Sequence, residues 1–208
     1  RTLATLILIG IANHSVLSGS RVAVALDALS MGASSFTVGV LISLYALLPM
    51  LLSVAVGRLV DRIGARRPMV VGSVLIGIGA TLPFALPGMP ALFGSAVLLG
   101  VGFMAFQIAA QNTTGGLGEP ATRSRNFSLL ALGYSVSGFI GPLSAGLAID
   151  QFGFRATFAA YALVALIPLA VLASGRLVLP GPHPAAGGTR HAGVLALLLG
   201  IRLVAGGR

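Results

Sequence analysis

The 208-residue chain contains no cysteine and no lysine; all 13 of its basic residues are arginine, against four acids and three histidines. Without cysteine there are no disulfides and no thiol chemistry, and cysteine usage gives no sign of the redox compartment. The all-arginine usage points to genome composition before function. Four acids and three histidines leave little from which to assemble a metal site. His-Glu-x-x-His, Gly-x-Ser-x-Gly and a phosphate-binding loop are all missing, so no enzyme activity, metal or cofactor is expected. Charge is scarce too: 8% of residues are charged, where a soluble domain carries about 25%.

What fills the chain instead is apolar. Hydrophobic residues make up 56%, and the mean hydropathy is +1.01. The net charge of +9 raises the possibility of a nucleic-acid partner. The arginines, however, share no face with interleaved aromatics; they sit in the gaps between apolar runs, as topology-setting loops require. No nucleic-acid binding is expected.

A membrane helix needs roughly 20 mostly apolar residues to cross about 30 Å of hydrocarbon. Six runs qualify, at about 3–29, 36–56, 69–86, 91–111, 127–149 and 157–177. The expected fold is an all-α integral membrane protein. From a cytoplasmic start, Arg58, Arg62, Arg66, Arg67, Arg123, Arg125 and Arg176 fall inside. Arg155 is the one loop arginine outside, so the positive-inside rule supports cytoplasmic termini. A bacterial inner membrane is the expected location. From 180 the composition turns to Pro, Gly and Ala, a cytoplasmic linker carrying His183 and His191. The last apolar run, 192–205, is short and interrupted by Arg202.

Two gaps between runs match each other. Gly57-Arg-Leu-Val-Asp61-Arg62-Ile-Gly64-Ala-Arg66-Arg67 is read as a charged hairpin loop, and Gly146-Leu-Ala-Ile-Asp150-Gln-Phe-Gly153-Phe-Arg155 repeats its G-x-x-x-D-x-x-G-x-R pattern. A repeated loop implies a repeated group of helices.

The first hairpin resembles the signature loop between helices 2 and 3 of the major facilitator superfamily, a family of transporters. Gly57, Leu59, Asp61, Arg62, Gly64 and Arg66 match it, while Ala65 replaces a usual basic residue. The second is similar to the family's loop between helices 5 and 6. The resemblance covers residues 1 to about 180 and implies six helices in two inverted three-helix repeats. Members usually carry twelve or more spans, so 1–179 corresponds to an amino-terminal half and 180–208 to a linker and the possible start of a second. The implied function is secondary active transport of a small organic solute across the lipid bilayer by alternating access. A truncated or non-transporting module needing a second six-helix half is the alternative.

Rare polar residues within the spans are the candidates for mechanism. His14, Ser18 and Arg21 fall at i, i+4 and i+7, on one helical face. Intramembrane charge is by default a functional signal, although Arg21 near a helix end can also snorkel outward. Gln107 shares a face of the fourth run with Gly100 and Phe103; the resemblance places the first and fourth helices around a central cavity. Asp27 is the single carboxylate within a span and the candidate proton carrier, with a solvated interfacial carboxylate as the alternative. In the fifth run Gly141, Pro142 and Gly146 match the family's antiporter signature, whose other places hold serine or alanine. Pro142 removes a backbone hydrogen bond and permits a bend. Ala96 occupies the place of a usual arginine, so no proton relay through that position is expected. Asp61 is expected to latch a neighbouring helix end, and Arg62 and Arg66 to orient the loop and meet lipid phosphates.

Overall fold

The computed structural model describes residues 2–175, 177 and 179. The linker and terminal apolar run expected over 180–208, together with Arg176, lie outside the described residues. Among the described residues there are five α-helices: α1 (Thr2–Ser30), α2 (Ser35–Ile63), α3 (Arg66–Ala85), α4 (Met89–Gly116) and α5 (Arg123–Ala173). A single 3-10 turn, Pro120–Thr122, leads into α5. Every one of the five is long and apolar enough to cross a membrane.

α1, α2 and α4 run past the expected apolar spans at both ends, and α3 and α5 begin before theirs. At 1.5 Å per residue the 29 residues of α2 extend about 43 Å, beyond the roughly 30 Å hydrocarbon layer. Helix geometry therefore continues into the charged segments, whose Arg, Leu and Asp residues tolerate it. The Gly57–Arg67 hairpin, expected as a loop, is helical except at Gly64 and Ala65. Gly64 has φ 81 and ψ 168, a conformation open almost only to glycine, and its N–H closes the last turn on the Val60 carbonyl.

Where two spans are expected at 127–149 and 157–177, α5 is one 51-residue helix with a single non-helical residue, Gly153. Its φ 79 and ψ 172 nearly duplicate those of Gly64. The chain reverses there. In a straight helix positions 141 and 161 stand about 30 Å apart, yet the Tyr161 hydroxyl donates to the Gly141 carbonyl at 2.9 Å. Two arms, before and after Gly153, thus lie side by side. Pro142 does not interrupt the first arm, whose backbone stays helical through it.

Packing relies on small residues, because lipid tails supply no hydrophobic drive between helices. A Cβ added at Gly72 of α3 would meet the Gly102 carbonyl of α4 at 2.5 Å, and one at Gly102 the Gly72 carbonyl at 2.7 Å. A Cβ at Gly141 would run into Ser18 Oγ and lie 2.8 Å from the Ser15 carbonyl, so α1 and the first arm of α5 touch at backbone distance. Asn13 Nδ2 donates to Ser73 Oγ at 3.0 Å, a buried polar link between α1 and α3.

Two arginines fix the ends. Arg66, opening α3, donates from Nη2 to the Leu172 carbonyl at the end of α5 (3.2 Å). Arg155, opening the second arm, stacks its guanidinium 5.3 Å above the Phe84 ring at the end of α3. The Gly64 and Gly153 turns therefore sit at opposite ends of the bundle.

Candidate functional site

The candidate cavity residues divide between two places. His14 is half-buried, with Nδ1 2.7 Å from Ser137 Oγ of α5. Its ring lies between two aromatics, 5.0 Å from Phe103 of α4 and 5.4 Å from Tyr134 of α5. Phe103 and Tyr134 meet edge-to-face at 5.8 Å, which closes a three-ring cluster among three helices. Ser18 is spent on packing: its hydroxyl donates to its own helix at the His14 carbonyl (2.8 Å), with the Ser137 carbonyl of α5 at 3.1 Å.

Arg21 is separate from that cluster and exposed. Its guanidinium carbon lies 5.4 Å from the centroid of Tyr45, a buried residue of α2. The backbone of Tyr45 abuts Gly100, where an added Cβ would come within 2.8 Å of the Tyr45 carbonyl. Gly100, Phe103 and the half-buried Gln107 line one side of α4, with Gly100 against α2 and Phe103 against α1. An exposed guanidinium braced on an aromatic face presents a fork of N–H donors suited to a carboxylate or phosphate.

His14 and Ser137 are within reach of each other as a base and a hydroxyl nucleophile would be. Ser137, however, is fully buried, and its hydroxyl also bonds to the Gly133 carbonyl of its own helix at 3.0 Å. A hydroxyl sequestered inside a helix pair cannot reach a substrate carbonyl. This contact packs α1 on α5.

Asp27 is buried within the bundle, 8% exposed. Ser30 Oγ donates to its backbone carbonyl at 2.8 Å and stands 3.5 Å from Oδ1. Asp27 and Arg21 project to different sides of α1, one buried and one exposed.

At the Gly64 end, Asp61 is exposed in the last turn of α2 and accepts a hydrogen bond at Oδ1 from Asn112 Nδ2 of α4 (3.3 Å). Its partner is thus a side chain close to a helix C-terminus. Arg62 is exposed, whereas Arg66 reaches across to Leu172. In the second hairpin Asp150 is exposed, and Gly146 is helical with open space around its Cβ position.

Three residues outside the transporter motifs are Tyr45, Tyr134 and Asn112. The signal for the first two lay in rarity. The chain has three tyrosines, and each joins two helices or the two arms of α5: Tyr45 with Arg21, Tyr134 with His14, Tyr161 with Gly141 and Ser144. Asn112 opens an Asn-Thr-Thr glycosylation sequon, which the expected topology places on the cytoplasmic side and which gives no hint of a carboxylate partner.

Known proteins bear on this arrangement. The chain is 32% identical over 134 residues to the tetracycline resistance protein, class C, of Escherichia coli, a match covering 61% of the chain and 31% of that protein. Among solved structures, a peptide transporter POT in complex with sulfate superposes with TM-score 0.77 at 23% identity, covering 96% of the chain and 44% of that one. A POT family transporter in complex with 5-aminolevulinic acid gives TM-score 0.79 at 21% identity, covering 97% and 45%. The chain thus spans about a third of the curated relative's length and under half of each solved transporter. These structural likenesses speak for the fold. The profile of the Major Facilitator Superfamily matches residues 5–206, nearly the whole sequence, and with the apolar helices it makes this chain an integral membrane protein belonging to that superfamily.

Proposed function

We propose that the chain is the amino-terminal six-helix half of a secondary active transporter that moves a small organic solute by alternating access. The observation that carries this reading is the pair of matched glycine turns, Gly64 and Gly153, at opposite ends of one bundle. Each arm of α5 counts as a span in this reading. At about 76 Å its 51 residues exceed twice the hydrocarbon thickness, so one crossing cannot hold them. The six spans then form two inverted three-helix repeats, the symmetry from which rocking of one half against another is built. Both termini face the cytoplasm of a bacterial inner membrane, with the arginine-rich Gly64 end inside. A second six-helix half, in the same or another chain, completes the pathway.

Within this half, Arg21, His14 and Gln107 face the solute, with Arg21 receiving an anionic group. Ser18 holds α1, which carries Arg21 and His14, against α5. Asp61 and Asn112 form the cytoplasmic latch, and Arg62 meets lipid phosphates. Asp27 is the proton carrier if transport is proton-coupled antiport, which the Gly141-Pro142 and Gly146 matches favour. Likeness to a resistance protein supports efflux as the direction.

Flux through the complete gene product in liposomes, screened against organic solutes with and without a proton gradient, tests the function. No flux under any gradient would favour a non-transporting module. Topology has its own test. Ala121→Cys and Gln151→Cys, both exposed and at opposite bundle ends, should label from opposite sides of an intact membrane. Labelling of both from one side would sink the inverted-repeat reading.

A further inference from the structure

A cavity of about 320 Å³ lies between α3 and the second arm of α5, away from the candidate solute site. Its walls include Val74, Gly77, Ile78 and Ala85 of α3, with Ala162 and Leu166 of α5 opposite. It opens outward, since Ile78 and Leu166 are 48% and 54% exposed on the bundle's apolar surface. Thr81 also lines it, but its hydroxyl donates to the Gly77 carbonyl at 2.8 Å and adds no free donor to the wall.

The groove has a direction and a depth. Val74 to Ala85 spans about 16 Å along α3, half of the roughly 30 Å hydrocarbon layer and so the depth of one leaflet. Its outer end lies beside Phe84, which carries the Arg155 guanidinium over its ring. Arg155 is exposed at that end of the bundle. An apolar slot one leaflet deep, with a cation braced at its headgroup end, matches a phospholipid in both shape and charge.

We propose that this groove binds one phospholipid of the leaflet at the Gly153 end, with an acyl chain between α3 and α5 and its phosphate on Arg155. The lipid seals the seam between the two helices whose ends Arg66 and Arg155 hold together. The site stands apart from the solute pathway and does not depend on it.

Spin-labelled phosphatidylglycerol, with the nitroxide deep in an acyl chain, tests this on the full chain reconstituted in bilayers. The wild-type protein should show a motionally restricted lipid population larger than that of Gly77→Leu or Ala162→Leu, each of which fills the groove. Gly77→Ala is the packing control. Its Cβ would meet only Ala165 and Leu169 atoms, at 3.9 Å, and it should retain the restricted population. Arg155→Gln should keep the acyl signal but lower the preference for phosphatidylglycerol over an equally labelled diacylglycerol about fivefold. Equal restriction in the wild-type protein and both leucine variants, with helicity intact, would overturn the proposal. Should the leucine variants lose helicity, the headgroup comparison decides alone, and an unchanged preference in Arg155→Gln overturns it.

Discussion

Arg66 and Leu172 are 106 positions apart, yet the guanidinium of one donates to the carbonyl of the other at 3.2 Å. Arg155 and Phe84 make the counterpart contact at the other end of the same two segments. The two arginines are separated by 89 positions, and the same shift carries Phe84 to position 173, next to Leu172. Each segment is thus held at its C-terminal end by the arginine that opens the other. Carbonyls in a last helical turn lack intrahelical donors and carry the negative end of the helix dipole, which suits a cation.

Removing one clasp should loosen one end. Arg66→Gln is expected to lower stability by about 1 kcal/mol, the order of a charge-assisted hydrogen bond discounted for exposure. Arg66→Lys, which can reach the carbonyl without the planar fork, should lose less. Thermal unfolding in one detergent, followed by circular dichroism, measures both. Equal midpoints for wild type and Arg66→Gln would show that the contact contributes nothing.

Gly153 and Gly146 separate backbone strain from packing. At both positions an added Cβ meets nothing within 4 Å, but only Gly153 has a positive φ. Gly153→Ala should therefore cost about 1–3 kcal/mol through strain alone. Gly146→Ala, in regular helix, should be neutral or stabilising by up to about 1 kcal/mol. A Gly153→Ala variant as stable as the wild type would mean that the turn tolerates a side chain.

In the complete transporter, Asp61→Asn should impair the conformational cycle while leaving equilibrium solute affinity nearly unchanged. The side chain sits in the Gly64 turn and touches Asn112, well apart from the His14 cluster. Transport rate and binding, measured on the same preparation, separate the two effects. A fall in affinity matching the fall in rate would move Asp61 into the solute site.

Arg21→Ala should do the opposite, weakening the binding of an anionic solute directly. An alanine also leaves Tyr45 without its cation, worth about 0.5–1 kcal/mol at an exposed site, so expression is measured alongside affinity. A well-expressed variant with unchanged binding would remove Arg21 from the solute site.

Much of the architecture was legible before any coordinates. Hydropathy alone marks long membrane helices, because in hydrocarbon the backbone must satisfy its own hydrogen bonds and only a few structures do so. The G-x-x-x-D-x-x-G-x-R repeat identified two equivalent turns, since a glycine is needed wherever the backbone takes a positive φ at a tight reversal. Gly64 and Gly153 have that geometry. Helix ends were less legible. Apolar content stops at the hydrocarbon boundary, while α2 continues through Arg58, Asp61 and Arg62 to Ile63.

The partners of polar residues were decided only by the tertiary structure. Helical periodicity put His14, Ser18 and Arg21 on one face, but a shared face spans neighbours of different kinds. His14 meets Ser137 and two aromatic rings, Ser18 lies in a backbone-tight contact with Gly141, and Arg21 rests over Tyr45. The burial of Asp27 and the reach of Arg66 to Leu172 belong to the same class. Local sequence determines which groups a helix carries and how they are spaced along it. Which of them meet depends on how closely the helices approach and at what register, set by small residues such as Gly72, Gly102 and Gly141 far away in the chain.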